Sequence, residues 1–223
     1  MPRSFVWQSR SDAPNCGSLQ MMTLKEPFEE LWKRLHLLAD ASVWHSKLLE
    51  CYAEPQRAYH TLQHLEECLL ILDDAKKTRL ITKPDLIEVA LWFHDAVYDP
   101  QGSKNEELSA QMALEALGDN EMAREVARLI MLTKSHQPGE GLDDAWIIDI
   151  DLAIFAQPME RVLEYERQIR QEYAWVPEDV YLEKRAEILT GFLHRHHLYL
   201  TAWARERFET QARENLRALI ESI

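Results

Sequence analysis

The sequence predicts an all-α fold, in the form of a single irregular helical domain. Apolar residues recur three and four positions apart along most of the chain, which is the period of an amphipathic helix. Hydrophobic residues make up 46% of the 223 positions, which is enough for one sizeable core, and the 6 glycines do not cluster. No repeat of about 20–50 residues is present, so we do not expect a solenoid.

The first helix is expected directly after an N-terminal segment. Residues 1–21 are polar and lack a hydrophobic period, so we expect them to be disordered, and we place the helical domain at residues 22–223. Thr23 and Glu26 have the form of a capping box, which predicts the start of a helix. Apolar residues from Phe28 onward continue with helical spacing.

The later elements follow from the same period. Pro84 suits the first turn of a helix, where its missing N–H costs little. The stretch Ile147–Leu152 is apolar enough for a strand, but no partner strand is evident, and we interpret it as a buried helical segment. The other predicted helices lie around residues 43–49, 57–74, 105–117, 120–134, 158–173, 178–196 and 203–221.

Composition excludes two classes of binding site. No glycine-rich motif of the kind that cradles nucleotide phosphates occurs. The formal net charge of −13, from 38 acidic and 25 basic residues, argues against binding to a nucleic-acid duplex. A small phosphate ester held beside a metal is compatible with this charge, because the cation reverses the local field.

Three features point to a cytoplasmic protein without a membrane partner. No apolar run approaches the roughly 18 residues that a membrane span needs. The N-terminus lacks the apolar core of a signal peptide. The spacing of the cysteines is not that of a metal site and is typical of thiols in a reducing compartment; they are Cys16, Cys51 and Cys68.

Imidazole and carboxylate groups lie in apolar segments at three places. His60 and His64 are four residues apart and would share one face of a helix. His94 and Asp95 follow an apolar run, and two aspartates lie within Ile147–Leu152. A buried carboxylate needs a partner, and a metal ion or an arginine would serve. Histidine and aspartate together suit a divalent metal that activates water.

A longer set of residues resembles the HD superfamily of metal-dependent phosphohydrolases, and one bacterial branch of it in particular. Tyr59–His64 is similar to the YHNxxH signature of cyclic-nucleotide phosphodiesterases of the same superfamily, with Thr61 at the asparagine position. The resemblance covers roughly residues 23–222. The other residues that carry it are Phe93–Asp99, Asn105–Glu106, Ser109–Ala110, Thr133–His136, Asp151–Leu152 and Ala212–Asn215.

The resemblance implies which residues would bind the metal. His94 and Asp95 match the HD pair and are expected to be ligands. Asp151 is most similar to the final aspartate of the set, and Asp149 is the alternative. The metal would be a divalent ion, namely Mn, Fe, Co, Ni, Zn or Mg, because sites of this kind accept several metals.

The two earlier histidines receive different roles from the same resemblance. In the phosphodiesterase signature the first histidine is the proposed acid for the leaving group, and the second is a ligand. Carried over, His60 would donate a proton and His64 would bind the metal. The alternative is that the two histidines exchange these roles.

The implied activity is hydrolysis of a small phosphate ester or nucleotide by metal-activated water. Phosphate also needs cationic partners, and Arg57 and Lys134 are the candidates for substrate binding. His136 is a third candidate for substrate binding, and it would be a further ligand in a two-metal site.

Two other functions are compatible with the same residues. An HD-type di-iron oxygenase would use a similar His and Asp set with extra histidine ligands, a role open to His136. A ligand-sensing domain would retain the metal without turnover. The sequence does not decide between these alternatives and the hydrolase.

Overall fold

Ten α-helices and one 3-10 turn make up the described part of the protein in this computed structural model. It covers residues 16–137 and 139–223, with side chains from residue 24 onward. The helices are α1 (Cys16–Arg34), α2 (Ala41–Tyr52), α3 (Leu62–Lys76), α4 (Pro84–Phe93), α5 (Asn105–Leu117), α6 (Glu121–Ser135), α7 (Asp144–Asp151), α8 (Met159–Glu172), α9 (Glu178–Leu193) and α10 (Ala202–Ser222), and the 3-10 turn (Leu152–Ala156) follows α7.

The predicted all-α fold is confirmed. Helix α5 has the expected bounds, because its N-terminal acids and the Gly118 C-cap are local signals. The segment Ile147–Leu152 is helical, as expected, since it comprises most of α7 and the first residue of the 3-10 turn. None of the helices in the described ranges combines the length and the apolar character that a membrane crossing requires.

The start of α1 differs from the prediction. Helix α1 begins at Cys16 and continues through Thr23, so Thr23 is not an N-cap. Threonine and glutamate are tolerated inside a helix, so a capping-box pattern does not by itself fix a helix start. The predicted disorder of residues 1–21 stays a prediction, and residues 1–15 lie outside the described residues.

The predicted helix over residues 57–74 is wrong at its N-terminal end, since α3 starts at Leu62. The backbone N–H groups of Ala58, Tyr59 and His60 all donate to Glu172 Oε1, at 2.8, 2.8 and 3.0 Å. Glu172 ends α8 and thus replaces the hydrogen-bond partners that a helix would supply. His60 consequently lies in a loop before α3 and does not share a helical face with a later histidine.

Helix α4 occupies the centre of the core. All its residues from Leu86 to Phe93 are buried, and it packs against α3, α5, α6 and α7. A largely apolar helix that is buried on nearly every face is stable only when it is surrounded by other elements. His94 and Asp95, which follow Phe93, therefore lie in the middle of the molecule.

Helix α10 holds the segment that follows α7. The buried Asn215 side chain donates from Nδ2 to the carbonyl oxygens of Phe155 and Gln157, both at 2.8 Å. These carbonyls end the 3-10 turn, and their two bonds satisfy polar groups that would be costly to bury alone. The end of α7 is thereby fixed relative to the core.

Candidate metal centre

Four of the predicted ligands converge at the end of α4. His64 comes from α3, Asp151 ends α7, and the His94-Asp95 pair follows α4. His64 Nε2 lies 3.2 Å from His94 Nε2 and 3.1 Å from Asp151 Oδ1. Asp95 Oδ2 lies 3.0 Å from His94 Nε2 and 3.5 Å from His64 Nε2. These four residues are called the metal cluster below.

His136 joins the metal cluster from the end of α6. Its Nε2 atom lies 3.0 Å from Asp151 Oδ2. The residue is the C-cap of α6 with φ of 49°, a left-handed conformation that a residue other than glycine adopts only at a cost. This bend turns the chain after α6, and the imidazole lies against a ligand-type carboxylate.

The tautomer of His94 is set by the backbone. Its Nδ1–H donates to the carbonyl oxygen of Leu91 at 2.7 Å, so in the neutral ring Nε2 carries the lone pair. That lone pair is directed at the other members of the metal cluster. A metal-binding histidine usually donates its other ring N–H to a carbonyl or carboxylate oxygen in this way.

The charges within the metal cluster depend on one another. Burial alone would raise the pKa of Asp95 and of Asp151, but the neighbouring imidazoles hold both pKa values below the ordinary range. Burial alone would lower the pKa of His94, but the two carboxylates raise it well above 6.5. The carboxylates are therefore ionised and need positive charge beside them.

The metal cluster fits a divalent cation. Atoms that bind one ion tetrahedrally at 2.0–2.2 Å are about 3.3–3.6 Å apart, close to the separations observed here. Among the described residues, no lysine or arginine forms an ion pair with Asp95 or Asp151. A metal bound at Nε2 of both histidines would replace the imidazole protons as the positive charge beside the two carboxylates.

Cys68 is a potential ligand that the spacing argument missed. Its Sγ atom lies 3.8 Å from both ring nitrogens of His64, and it is within 4.8 Å of the ligand atoms of His94 and Asp151. Burial raises the pKa of the thiol well above 9, so the unliganded residue is neutral. The spacing of four residues between His64 and Cys68 on α3 was the signal that could have revealed it.

His60 lies beside the metal cluster and outside it. Its ring centre is 6.2 Å from that of His64 and is stacked on Tyr98 at 4.0 Å. Its Nδ1 atom lies 2.7 Å from Glu172 Oε2, which also accepts the Tyr98 hydroxyl at 2.8 Å. Burial opposes the charged imidazole, but the carboxylates of Asp95 and Glu172 outweigh it and raise the pKa of His60.

Glu172 was not predicted from the sequence to belong to the site. Burial opposes its ionisation, yet His60 and the loop N–H groups lower its pKa to about 2. An ionised Glu172 accepts a hydrogen bond from Nδ1–H of His60 and leaves Nε2 of that ring as the exchangeable position. The contact joins residues 112 positions apart, so no local sequence pattern predicts it.

Asp149, the alternative to Asp151, does not reach the metal cluster. Its carboxylate accepts the backbone N–H groups of Leu200 and Thr201, each at 2.7 Å. Burial raises its pKa to about 6. Asp149 thus anchors the chain before α10, and the structure brings Asp151 to the candidate site instead.

The two cations predicted to bind substrate have other partners. The guanidinium of buried Arg57 donates to the carbonyl oxygens of His60, Asp95 and Ala96, at 3.0, 2.6 and 3.0 Å. Lys134 Nζ donates to Glu107 Oε1 at 2.6 Å and to the Ser103 carbonyl at 2.9 Å. Both cations thus have partners within the protein, and the substrate-binding role of Arg57 and Lys134 stays a prediction.

Comparison of the chain with protein-family models, with curated proteins and with solved structures gives no match in any of the three. The chemistry of this site must therefore be inferred from its own side chains. These offer a set of imidazole and carboxylate ligands, with an exchangeable imidazole proton at its edge.

Proposed function

We propose that the protein is a metal-dependent phosphohydrolase acting on a small phosphate ester or nucleotide. The observation that carries the proposal is the convergence of His64, His94, Asp95 and Asp151, with the Glu172-held imidazole of His60 beside them. The resemblance to the HD superfamily supports the same reading. The bound ion would be Mn, Fe, Co, Ni, Zn or Mg, and metal analysis of the purified protein would identify it.

A divalent ion held by the metal cluster would supply two kinds of chemistry. It would lower the pKa of water towards neutrality and would neutralise charge on the phosphoryl oxygens. His94 is fixed for this task by the Leu91 carbonyl. Arg57 fixes the backbone of Asp95 at 2.6 Å and so orients that carboxylate.

His60 would give its proton to the departing oxygen of the ester. Glu172 holds the Nδ1 side of the ring, so Nε2 is the atom that can face the substrate. The side chain is 20% exposed, whereas those of His64 and His94 are at most 3% exposed, so substrate can reach it. The raised pKa favours the protonated ring that an acid requires.

The test is a screen of nucleotides and small phosphate esters with each of the six divalent metals. We expect metal-dependent release of phosphate or of the corresponding alcohol from at least one class. Asp95→Ala is the matched negative control, because it removes one ligand-type carboxylate. Flat activity across the panel with the metal fully loaded would overturn the proposal and favour the ligand-sensing alternative.

A di-iron oxygenase is the second candidate, and one observation favours it. His136 Nε2 lies 3.0 Å from Asp151 Oδ2, which adds a further imidazole to the metal cluster. Extra histidine ligands would suit a second metal ion. Metal analysis and a visible spectrum of aerobically purified protein separate the candidates: two irons per chain with visible absorption support the oxygenase.

A further inference from the structure

All three guanidinium nitrogens of Arg57 are hydrogen-bonded within the protein, and Lys134 is paired with Glu107, so an anionic substrate would have to displace these partners. We propose that Arg195 is the substrate-binding cation, and that it receives a second anionic group of the substrate, next to the phosphate that is hydrolysed. The favoured substrates are then esters with two phosphates, such as nucleoside diphosphates. This inference rests on the proposed function.

Arg195 lies with its guanidinium against the backbone of His136. It donates from Nη1 to the His136 carbonyl oxygen at 2.9 Å and more weakly from Nη2 to that of Ser135 at 3.5 Å. Its guanidinium lies 4.6 Å from the ring centre of Phe192, and that ring is 5.9 Å from the His136 imidazole. The cation therefore lies beside the backbone of His136, whose imidazole contacts Asp151 of the metal cluster.

The charge of Arg195 has no acidic partner among the described residues. Burial lowers its pKa, and no carboxylate acts against that effect. Arg34 and Arg128 show the opposite, since hydrogen bonds to carboxylates raise their pKa values. A half-buried cation without an acidic partner has an unneutralised charge, and burying such a charge is costly. The hydrogen-bond acceptors of the Arg195 guanidinium are backbone carbonyl oxygens, which carry no full negative charge, so the cation can still receive an anion.

The loop that carries Arg195 is held in place before any ligand binds. Arg213 donates to the carbonyl oxygens of Leu193 and Arg195, at 2.7 and 2.8 Å. Glu209 accepts the backbone N–H groups of Leu198 and Tyr199, both at 3.0 Å. A fixed backbone lowers the entropy lost when the guanidinium engages a ligand.

The test compares pyrophosphate with inorganic phosphate as probes of the metal-loaded protein, by isothermal titration calorimetry. The wild type should bind pyrophosphate more tightly than phosphate. Arg195→Gln should weaken pyrophosphate binding by about 10- to 100-fold, as expected for one charge-assisted contact, and phosphate binding by much less. Arg195→Lys should fall between the two. The exposed Arg217 is the matched control, and Arg217→Gln should change neither affinity.

Two results would overturn the inference. One is equal affinity of the wild type and Arg195→Gln for pyrophosphate. The other is loss of bound metal in both Arg195 variants, which would make the residue a support of His136. The ester screen is read separately. Turnover without any dependence on Arg195 defeats this inference alone, whereas Arg195-dependent binding of pyrophosphate without turnover of any ester defeats the phosphohydrolase proposal alone.

Discussion

At the scale of single residues, the histidines and aspartates divide into those that share one point and those that support it. His64, His94, Asp95 and Asp151 have ligand atoms within 3.0–3.6 Å of their neighbours in the cluster. Asp149, only two positions from Asp151, binds backbone instead. The same residue type therefore serves two purposes, and the direction of the side chain decides which.

Asp95→Ala is expected to remove both metal binding and hydrolysis. The carboxylate belongs to the metal cluster, and loss of a ligand should lower metal affinity by at least about 100-fold. Removal of a group that only hydrogen-bonds to a ligand has a smaller effect on metal affinity. Metal content after dialysis and phosphate release measure the two effects. Asp73→Ala, at an exposed position of α3, is the control. Full metal content in Asp95→Ala would exclude this carboxylate as a ligand.

His60→Ala is expected to keep the metal and to lose turnover. The ring is held by Glu172 at 2.7 Å and lies outside the metal cluster. Loss of a general acid should lower kcat by about 10²- to 10⁴-fold. His64→Ala should instead release the metal. If His60→Ala strips the metal and His64→Ala does not, the two histidines have the opposite roles.

At the scale of elements, the end of α8 shapes the loop that precedes α3. Glu172 accepts three backbone N–H groups of residues 58–60 with one oxygen and holds His60 and Tyr98 with the other. The loop therefore has a defined conformation without regular secondary structure. The Glu172 carboxylate therefore holds residues 58–60 in a loop and also orients His60, the proposed acid.

Glu172→Gln should destabilise the protein in a way that depends on pH. Folding lowers the pKa of this carboxyl from 4.5 to about 2, so its stabilising contribution is present above about pH 4.5 and is lost as the pH falls towards 2. At pH 7 we expect the free energy of unfolding to fall by about 2–3 kcal/mol.

Urea unfolding at pH 7 and at pH 3 measures this contribution. The difference in the free energy of unfolding between wild type and Glu172→Gln should shrink at the lower pH. At pH 3 the Glu172 carboxyl of the unfolded wild-type chain is protonated, and that of the folded protein begins to bind a proton. Glu221→Gln, at an exposed position near the end of α10, should show no such trend. A difference that is equal at both pH values would mean that the ionised form of Glu172 contributes nothing.

At the scale of the whole molecule, the metal cluster connects separate parts of the chain. Its side chains come from α3, the end of α4 and α7, and His136 contacts them from the end of α6. These elements meet only when the core around α4 is formed. A metal bound by all of them would bind the native state and not the unfolded chain, so binding and folding are linked.

Removal of the metal should therefore lower the melting temperature. An ion at about 100 times its Kd adds about 2.7 kcal/mol to the free energy of unfolding, which corresponds to roughly 5–10 °C for a chain of this size. Thermal unfolding with and without a chelator measures the shift. Asp95→Ala should show little response to added metal. An unchanged melting temperature in the wild type would argue against a site shared by several helices.

The sequence by itself determined the helical class and most of the helix positions. Helices depend on contacts between residues three and four positions apart, and those contacts are visible in the order of residues. Helix α5 and the helical course of Ile147–Leu152 were predictable for this reason. The residue types of the metal cluster were visible too, because charged and imidazole groups within apolar runs need partners.

Only the tertiary structure decided which of these groups meet. Asp149 and Asp151 point in different directions from one helix, and the packing of α7 against α3 and α4 selects Asp151 for the metal cluster. The Glu172–His60 contact spans 112 positions, and Arg195 approaches His136 across 59. Contacts at such separations are fixed by how the helices pack, and local sequence patterns do not predict that packing.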